Sequence, residues 1–290
     1  EEGMRVLGID PAENIARLAR ARGIPTIADF FCARSVDAAI REHGQAAVIT
    51  GTNVFAHIDD LDALMADVNR LLAPDGVFIF EAPYFVNLLR DLEYDTIYHE
   101  HLSYVSLRPL IPFFERHGMR VFDVQEVDIH GGSFRVFIDR GERRRNEGVI
   151  DELLARERSE GAHDIGRLRR FADDVAQNRR DLVDLLRTIR GAGTRIAAVS
   201  APAKGMTLLN YCRLGTETLD FVTEKSSLKI GRVTPGTHIP VTGDEALLAR
   251  TPEFALLLAW NFAEEIMANL SAYQAAGGRF IVPIPHPRIV

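Results

Sequence analysis

Arg5-Val6-Leu7-Gly8-Ile9-Asp10-Pro11 is a short apolar run closed by an acid and a proline, the pattern of a parallel strand buried on both faces. The same beat then repeats along the chain. Residues 12–22 place Ile15, Leu18 and Ala19 at helical spacing and stop at Gly23; residues 24–27 form a second strand candidate and 36–43 a second helix. Residues 46–50 read as a third strand and 61–72 as a third helix. After the turn Pro74-Asp75-Gly76, residues 76–81 read as a fourth strand. Strands alternating with helices of this length predict βαβ units and a parallel sheet covered on both faces. Residues 120–127 and 133–139 alternate apolar and polar about His130-Gly131-Gly132, which predicts an antiparallel hairpin closing the sheet.

The second half keeps the α/β character after an interruption. Residues 147–190 are rich in charge, contain no proline and carry Leu or Ile from Ile150 to Ile189, so they read as solvated helix joining two lobes. Beyond Gly191-Ala192-Gly193 the strand and helix rhythm resumes through residues 195–200, 206–212, 219–222, 255–258 and 280–282. The expected organisation is therefore α/β: a doubly wound sheet over residues 1–142, a helical linker over 143–192, and a second, Rossmann-like lobe over 193–290.

Composition narrows the function. Of 290 residues, 47% are hydrophobic and 26% charged, ordinary globular usage, and 41 acidic side chains against 34 basic ones leave a net charge of −7. That balance provides no electrostatic reason to bind a nucleic-acid backbone. Apolar runs such as Phe254-Ala255-Leu256-Leu257-Leu258-Ala259-Trp260 fall far short of the roughly 20 residues of a membrane span. Two cysteines, Cys32 and Cys212, are too few for a disulfide scaffold or a structural zinc site. These features predict a soluble, cytoplasmic protein, with its oligomeric state left open.

Chemistry concentrates at the expected carboxyl ends of strands. An acid ending the second strand of a doubly wound sheet hydrogen-bonds a cofactor ribose, and Asp10 fits that position; an Asp before Pro also caps helices. Such an acid serves nicotinamide and S-adenosylmethionine sheets alike. Asp29-Phe30-Phe31, after the next strand, offers a carboxylate for an adenine amino group and an aromatic face for its ring. The densest polar cluster is Tyr94-Asp95-Thr96-Ile97-Tyr98-His99-Glu100-His101. It suits an acid–base site, with Glu100 orienting an imidazole, and His-x-His also occurs among metal ligands. His57 follows another strand end. In the second lobe, Ser200-Ala201-Pro202-Ala203-Lys204-Gly205-Met206-Thr207 joins a strand to a helix, where backbone amides and a Lys suit a phosphate. Arg232 and the tight turn ending at His238 add further polar groups.

Taken together, Val6-Leu7-Gly8-Ile9-Asp10-Pro11, Asn53-Val54-Phe55-Ala56-His57-Ile58, Tyr98-His99-Glu100-His101, Ala203-Lys204-Gly205, Thr207-Leu208-Leu209-Asn210, Gly231-Arg232 and Pro235-Gly236-Thr237-His238-Ile239-Pro240 resemble the sugar C-methyltransferases acting on nucleotide-linked keto-deoxysugars. The resemblance covers nearly the whole chain. It implies a class I S-adenosylmethionine domain followed by an α/β lobe that helps hold a nucleotide sugar. It places Tyr98, Glu100, His101 and His57 at the catalytic positions and Asp10 at the cofactor ribose; Asp29, Phe30 and Asn53 are read toward the cofactor beside it. Lys204, Gly205, Arg232 and His238 fall toward the substrate, and no metal is implied. Members of that family also carry a cysteine-rich zinc-binding segment and a glycine-rich first strand and loop. This chain shows neither, so it reads as entering the sheet at its second strand. The competing expectations are a nicotinamide-dependent nucleotide-sugar oxidoreductase and a non-catalytic nucleotide-sugar-binding fragment.

Overall fold

Gly8–Ile9 and Thr26–Ile27 pair in parallel across the helix Glu13–Ala21 in the computed structural model, which describes residues 3–128, 131–141, 143 and 145–290. The chain divides into two compact units, the first made of Glu1–Tyr84, Leu102–Asp128 and Gly132–Glu157. Its larger sheet runs in the order Ala46–Thr52, Leu72–Pro83, Ser133–Asp139, Arg120–Val127. The first pair is parallel and the other two are antiparallel, so the expected hairpin does close the sheet. Its expected turn at His130 lies outside the described residues. Pro74-Asp75-Gly76 does not separate helix from strand; it bulges within Leu72–Pro83, where the pairing register jumps.

An aromatic core fixes this sheet. Phe55 stacks on Phe80 with centroids 4.2 Å apart, Phe114 lies 6.0 Å from Phe80, and Phe134 meets Phe80 edge-on. Each buried Phe contributes roughly 1.5–3 kcal/mol, so the turn Phe55–His57 is anchored by its own first residue. The two-stranded and four-stranded sheets share no hydrogen-bonded neighbour among the described residues. Ala46–Thr52 therefore keeps one open edge, and its Val48 is 54% exposed in a strand type that is ordinarily covered.

The second unit comprises Phe85–His101, Ile129–Gly131 and Arg158–Val290. Its six-stranded sheet runs Arg288–Ile289, Arg279–Val282, Phe254–Leu257, Ile196–Val199, Val222–Thr223, Val241–Thr242, with only the Arg288–Ile289 edge antiparallel. Ile196, Ala198, Leu208, Leu256 and Ile281 share one core with Val175, Leu182, Leu186 and Ile189 of the helix Ile165–Gly191. The compact units thus divide the chain otherwise than 1–142, 143–192 and 193–290. The long helix is a layer of the second unit, because its apolar stripe is buried there, and Phe85–His101 packs with that unit although it lies early in the sequence.

Candidate active site

The segment that carries Tyr98 and His101 is held at its base by apolar burial. Leu92 and Tyr94 are buried in the core of the second unit, and between them the chain turns through Leu92 in the left-handed region, φ 58°. Tyr94–Thr96 then forms one 3-10 turn. The Tyr94 hydroxyl donates to Asn178 Oδ1 at 2.8 Å, and both the amide and the hydroxyl of Thr96 donate to the Glu93 carbonyl, at 3.1 and 2.7 Å. From this base the Thr96 carbonyl meets His101 Nδ1 at 2.8 Å, and the Tyr98 hydroxyl lies 3.3 Å from His101 Nε2, the two rings 4.3 Å apart. A carbonyl only accepts, so Nδ1 carries the proton and, in the neutral ring, Nε2 is the basic nitrogen. Burial first, then the charges of Glu100 and Asp95, raise the Tyr98 phenol above its ordinary range, which keeps it a donor.

Glu100 does not orient the imidazole as expected. It is exposed, and the group on Nδ1 is the Thr96 carbonyl; Glu100 acts on the pair through its charge beside Tyr98. His99 is exposed as well. Among the described residues no three His, Cys, Asp or Glu side chains converge as a metal site.

Beneath the turn lies a group of charges that composition alone does not reveal. Glu93 and Asp95 are 3% and 0% exposed. Trp260 Nε1 donates to Asp95 Oδ2 at 2.7 Å, and Lys204 Nζ stands 4.5 Å over the Trp260 ring. Burial lowers the Lys204 ammonium, against the attraction of Asp95 and Glu93. Burial raises Asp95, and it pushes Glu93 up to about 8, the Lys204 charge opposing and the neighbouring Asp95 and Asp91 adding to the rise. One cation among two acids leaves Glu93 as the proton holder. An unfolded glutamate titrates near 4.5 and the folded one near 8, so between those values the native state binds the extra proton and stability falls as pH rises. Glu93→Gln is expected to flatten that decline in melts taken from about pH 5 to about pH 9. Parallel wild-type and variant curves would refute it.

In the first unit, Asp10 ends Gly8–Ile9, its amide on the Ile27 carbonyl at 3.1 Å, and its Oδ1 accepts from Ala12 N–H at 2.8 Å just before the helix Glu13–Ala21. One carboxylate oxygen thus serves the turn. The Asp29 carboxylate accepts from Arg34 at 2.7 and 2.8 Å and from the Phe30 amide, because the first turn of Ala33–His43 brings that guanidinium back over it. Phe30 is 70% exposed, whereas Phe31 packs on Val36, Ala39 and Leu71. Asn53 follows Ala46–Thr52 at φ 54°, with its amide on the Glu81 carbonyl; its side-chain Oδ1 is buried and has no partner among the described residues. His57 is exposed at the end of its 3-10 turn, and the adjacent Ala56 carbonyl accepts from Leu102 and Ser103 at 2.8 and 3.2 Å.

The substrate residues expected in the second unit fare unevenly. Lys204 is turned toward Trp260 and the buried acids. Gly205 is a packing glycine: a Cβ there would lie 2.7 Å from Leu258 Cβ, so the helix Ala203–Cys212 sits against the strand end. Arg232 and His238 are exposed, the latter at φ 56° in a turn closed by Thr234 and Thr237. Trp260, Glu93 and the Thr96 carbonyl stand outside the sequence expectations, and Asp95 enters them only as a member of the polar cluster. A single tryptophan just beyond a strand end was the available signal.

The model of a methyltransferase domain matches residues 1–124, and that of the C-methyltransferase C-terminal domain matches residues 128–285. The C-methyltransferase NovU of Streptomyces niveus is 42% identical over 291 residues, covering 100% of this chain and 69% of the relative. The chain belongs to the C-methyltransferase family. This membership overturns the nicotinamide oxidoreductase alternative and makes S-adenosylmethionine the cofactor. Among solved structures, a SAM-dependent methyltransferase from Thermotoga maritima, described as a possible histamine N-methyltransferase, aligns with 45% of this chain and 72% of its own at 14% identity and TM-score 0.34. A Pyrococcus horikoshii OT3 protein aligns with 47% and 72% at 16% identity and TM-score 0.35. Likeness of that grade adds nothing to what the strand order shows. In this C-methyltransferase the residues of the first unit fit the cofactor: Asn53 has an orphaned buried oxygen, Phe30 presents a bare ring, and Asp10 closes a parallel strand. No helix among the described residues is long and apolar enough to cross a membrane.

Proposed function

We propose that this C-methyltransferase methylates the carbon beside the ketone of a nucleotide-linked keto-deoxysugar through an enolate. The observation that carries the reading is the Thr96–His101–Tyr98 arrangement, which sets a basic nitrogen next to a phenol donor. His101 Nε2 takes the proton from the carbon beside the ketone; the C–H electron pair moves into the ring carbonyl, and the Tyr98 hydroxyl donates to the oxygen as it gains charge. His57 is the second candidate base. When bound, S-adenosylmethionine supplies an electrophilic methyl on a sulfonium centre. Asp10 would hold its ribose, Phe30 its adenine ring and Asn53 a polar group at the strand end, while Asp29 accepts the Phe30 backbone amide.

Arg232 and His238, exposed in the second unit, are the groups offered to the nucleotide part of the substrate.

Deuterium exchange tests the reading. In heavy water, wild-type protein is expected to wash deuterium into the carbon beside the ketone of a thymidine-diphosphate keto-deoxysugar and, with S-adenosylmethionine present, to methylate it. Binding of the sugar with neither exchange nor methylation would favour the non-catalytic alternative.

A further inference from the structure

Strand order locates a crevice in the second unit. From Ile196–Val199 the chain proceeds to Val222–Thr223 on one side, while Phe254–Leu257 lies on the other. Connections leave the carboxyl ends of Ile196–Val199 and Phe254–Leu257 in opposite directions, which is the switch point where open α/β sheets bind ligands. The helix Ala203–Cys212, carrying Lys204, starts from one rim, and Trp260 follows the other. What meets these groups is a piece of the chain itself, the turn Tyr94–Thr96, more than a hundred residues earlier in sequence.

The contacts of that turn are directional. Trp260 Nε1 donates to Asp95 Oδ2 at 2.7 Å, and the second carboxylate oxygen of Asp95 is buried without a partner among the described residues. The fully buried carboxylate therefore depends on the indole and on the Lys204 charge over the same ring. On the preceding residue, the Tyr94 hydroxyl binds Asn178, whose amide donates to the carbonyls of Pro283 and Pro285 at 2.9 and 2.7 Å. On the next residue, the Thr96 carbonyl accepts from His101 Nδ1. Three consecutive residues thus join the sheet, the long helix and the imidazole.

We propose that the switch point of the second sheet is the socket that sets the tautomer of His101, with Trp260 as a positioning residue that acts through Asp95 and the Thr96 carbonyl. The inference rests on the reading of His101 as the proton acceptor. It also explains why Lys204 is not offered to a phosphate: its charge is used in holding the buried acid of the turn. Loss of the indole N–H frees Asp95 to rotate, and the Thr96 carbonyl no longer holds one imidazole orientation. A displacement of about 1 Å at a reacting group costs as much as 10²-fold in rate.

The test is nitrogen-15 spectroscopy of the full chain, with His101 assigned from the loss of its signals in His101→Gln. Wild-type protein is expected to show Nδ1 protonated and Nε2 bare once the ring is neutral. Trp260→Phe keeps a smaller aromatic face for Lys204 and removes the donor; its His101 signals are expected to move to an average of both tautomers. On the substrate that shows deuterium exchange, kcat is expected to fall roughly tenfold or more with KM little changed. An unchanged tautomer in folded Trp260→Phe would overturn the proposal. Asp95→Asn serves if that variant does not fold. The lone indole N–H of the chain then reports the contact directly, and its signal is expected to shift together with those of His101. Movement of the indole signal alone would also overturn the proposal. The two readings separate cleanly: full methylation by His101→Gln would remove the base and leave the socket, whereas a fixed tautomer would remove the socket and leave the base.

Discussion

Replacing His101 by alanine is expected to lower methyl transfer by about 10²-fold or more while the variant melts as the wild type does. The size follows from the loss of a positioned proton acceptor, which contributes typically 10²- to 10⁴-fold. The melting behaviour follows from location: His101 is only half-buried, and its ring nitrogens meet the Thr96 carbonyl and the Tyr98 hydroxyl rather than the core. Deuterium wash-in should fall in step, since it isolates the proton-transfer step. Tyr98→Phe should retain part of that wash-in, because it removes the donor to the enolate oxygen and leaves the base. Turnover by His101→Ala within about threefold of wild type would transfer the role to His57, against the magnitude that a general base contributes.

A second large effect is expected at Glu157, on stability rather than turnover. This carboxylate is 0% exposed and accepts the backbone N–H of Leu107, the N–H of Arg108 at 3.0 Å and the Tyr84 hydroxyl at 3.1 Å. It thereby caps the N-terminus of the helix Leu107–Arg116, where amides lack partners and the helix dipole favours negative charge. Burial and the neighbouring Glu157 charge push the Tyr84 phenol well above its ordinary range, which keeps its proton on the bond to Glu157. Alanine at 157 leaves three donors unmatched, two of them buried, at about 1–3 kcal/mol for each buried unsatisfied group. Allowing for relaxation and entering water, a loss of roughly 3–5 kcal/mol is expected in urea unfolding. Glu157→Gln should fall between the two, since its amide presents a donor to a donor at one oxygen position. A loss below about 1 kcal/mol for the alanine variant would show that water replaces the carboxylate freely.

Sequence pattern and structure agree where local rules act and part where distant residues meet. Alternating strands and helices were legible because each needs only a few residues of pattern, and the hairpin followed from period-two alternation. The family resemblance was legible because its motifs are short runs of consecutive residues, which can be read without knowing what they pack against. Glu100 was misjudged as the orienting group because adjacency in sequence says nothing about which acceptor lies on the ring nitrogen; a backbone carbonyl five residues back took that place. The ion pair of Asp29 was not legible because Arg34 approaches it only after the helix Ala33–His43 forms. Residues expected as a linker became a core layer, since the buried stripe of Ile165–Gly191 has no visible partner until the second sheet is built.

By itself, then, the amino-acid order determined the α/β class, the run of elements, and the polar cluster from Tyr94 to His101. Each of these depends on spacing along the chain, which periodicity and turn chemistry encode directly. Tertiary structure alone decided which groups serve the imidazole, that Lys204 faces buried acids, and that Trp260 and Asp95 are bonded across 165 positions of sequence. The reason is physical: burial and charge compensation depend on separations in space, and burying Asp95 is tolerable only where folding has already brought an indole N–H and an ammonium to it.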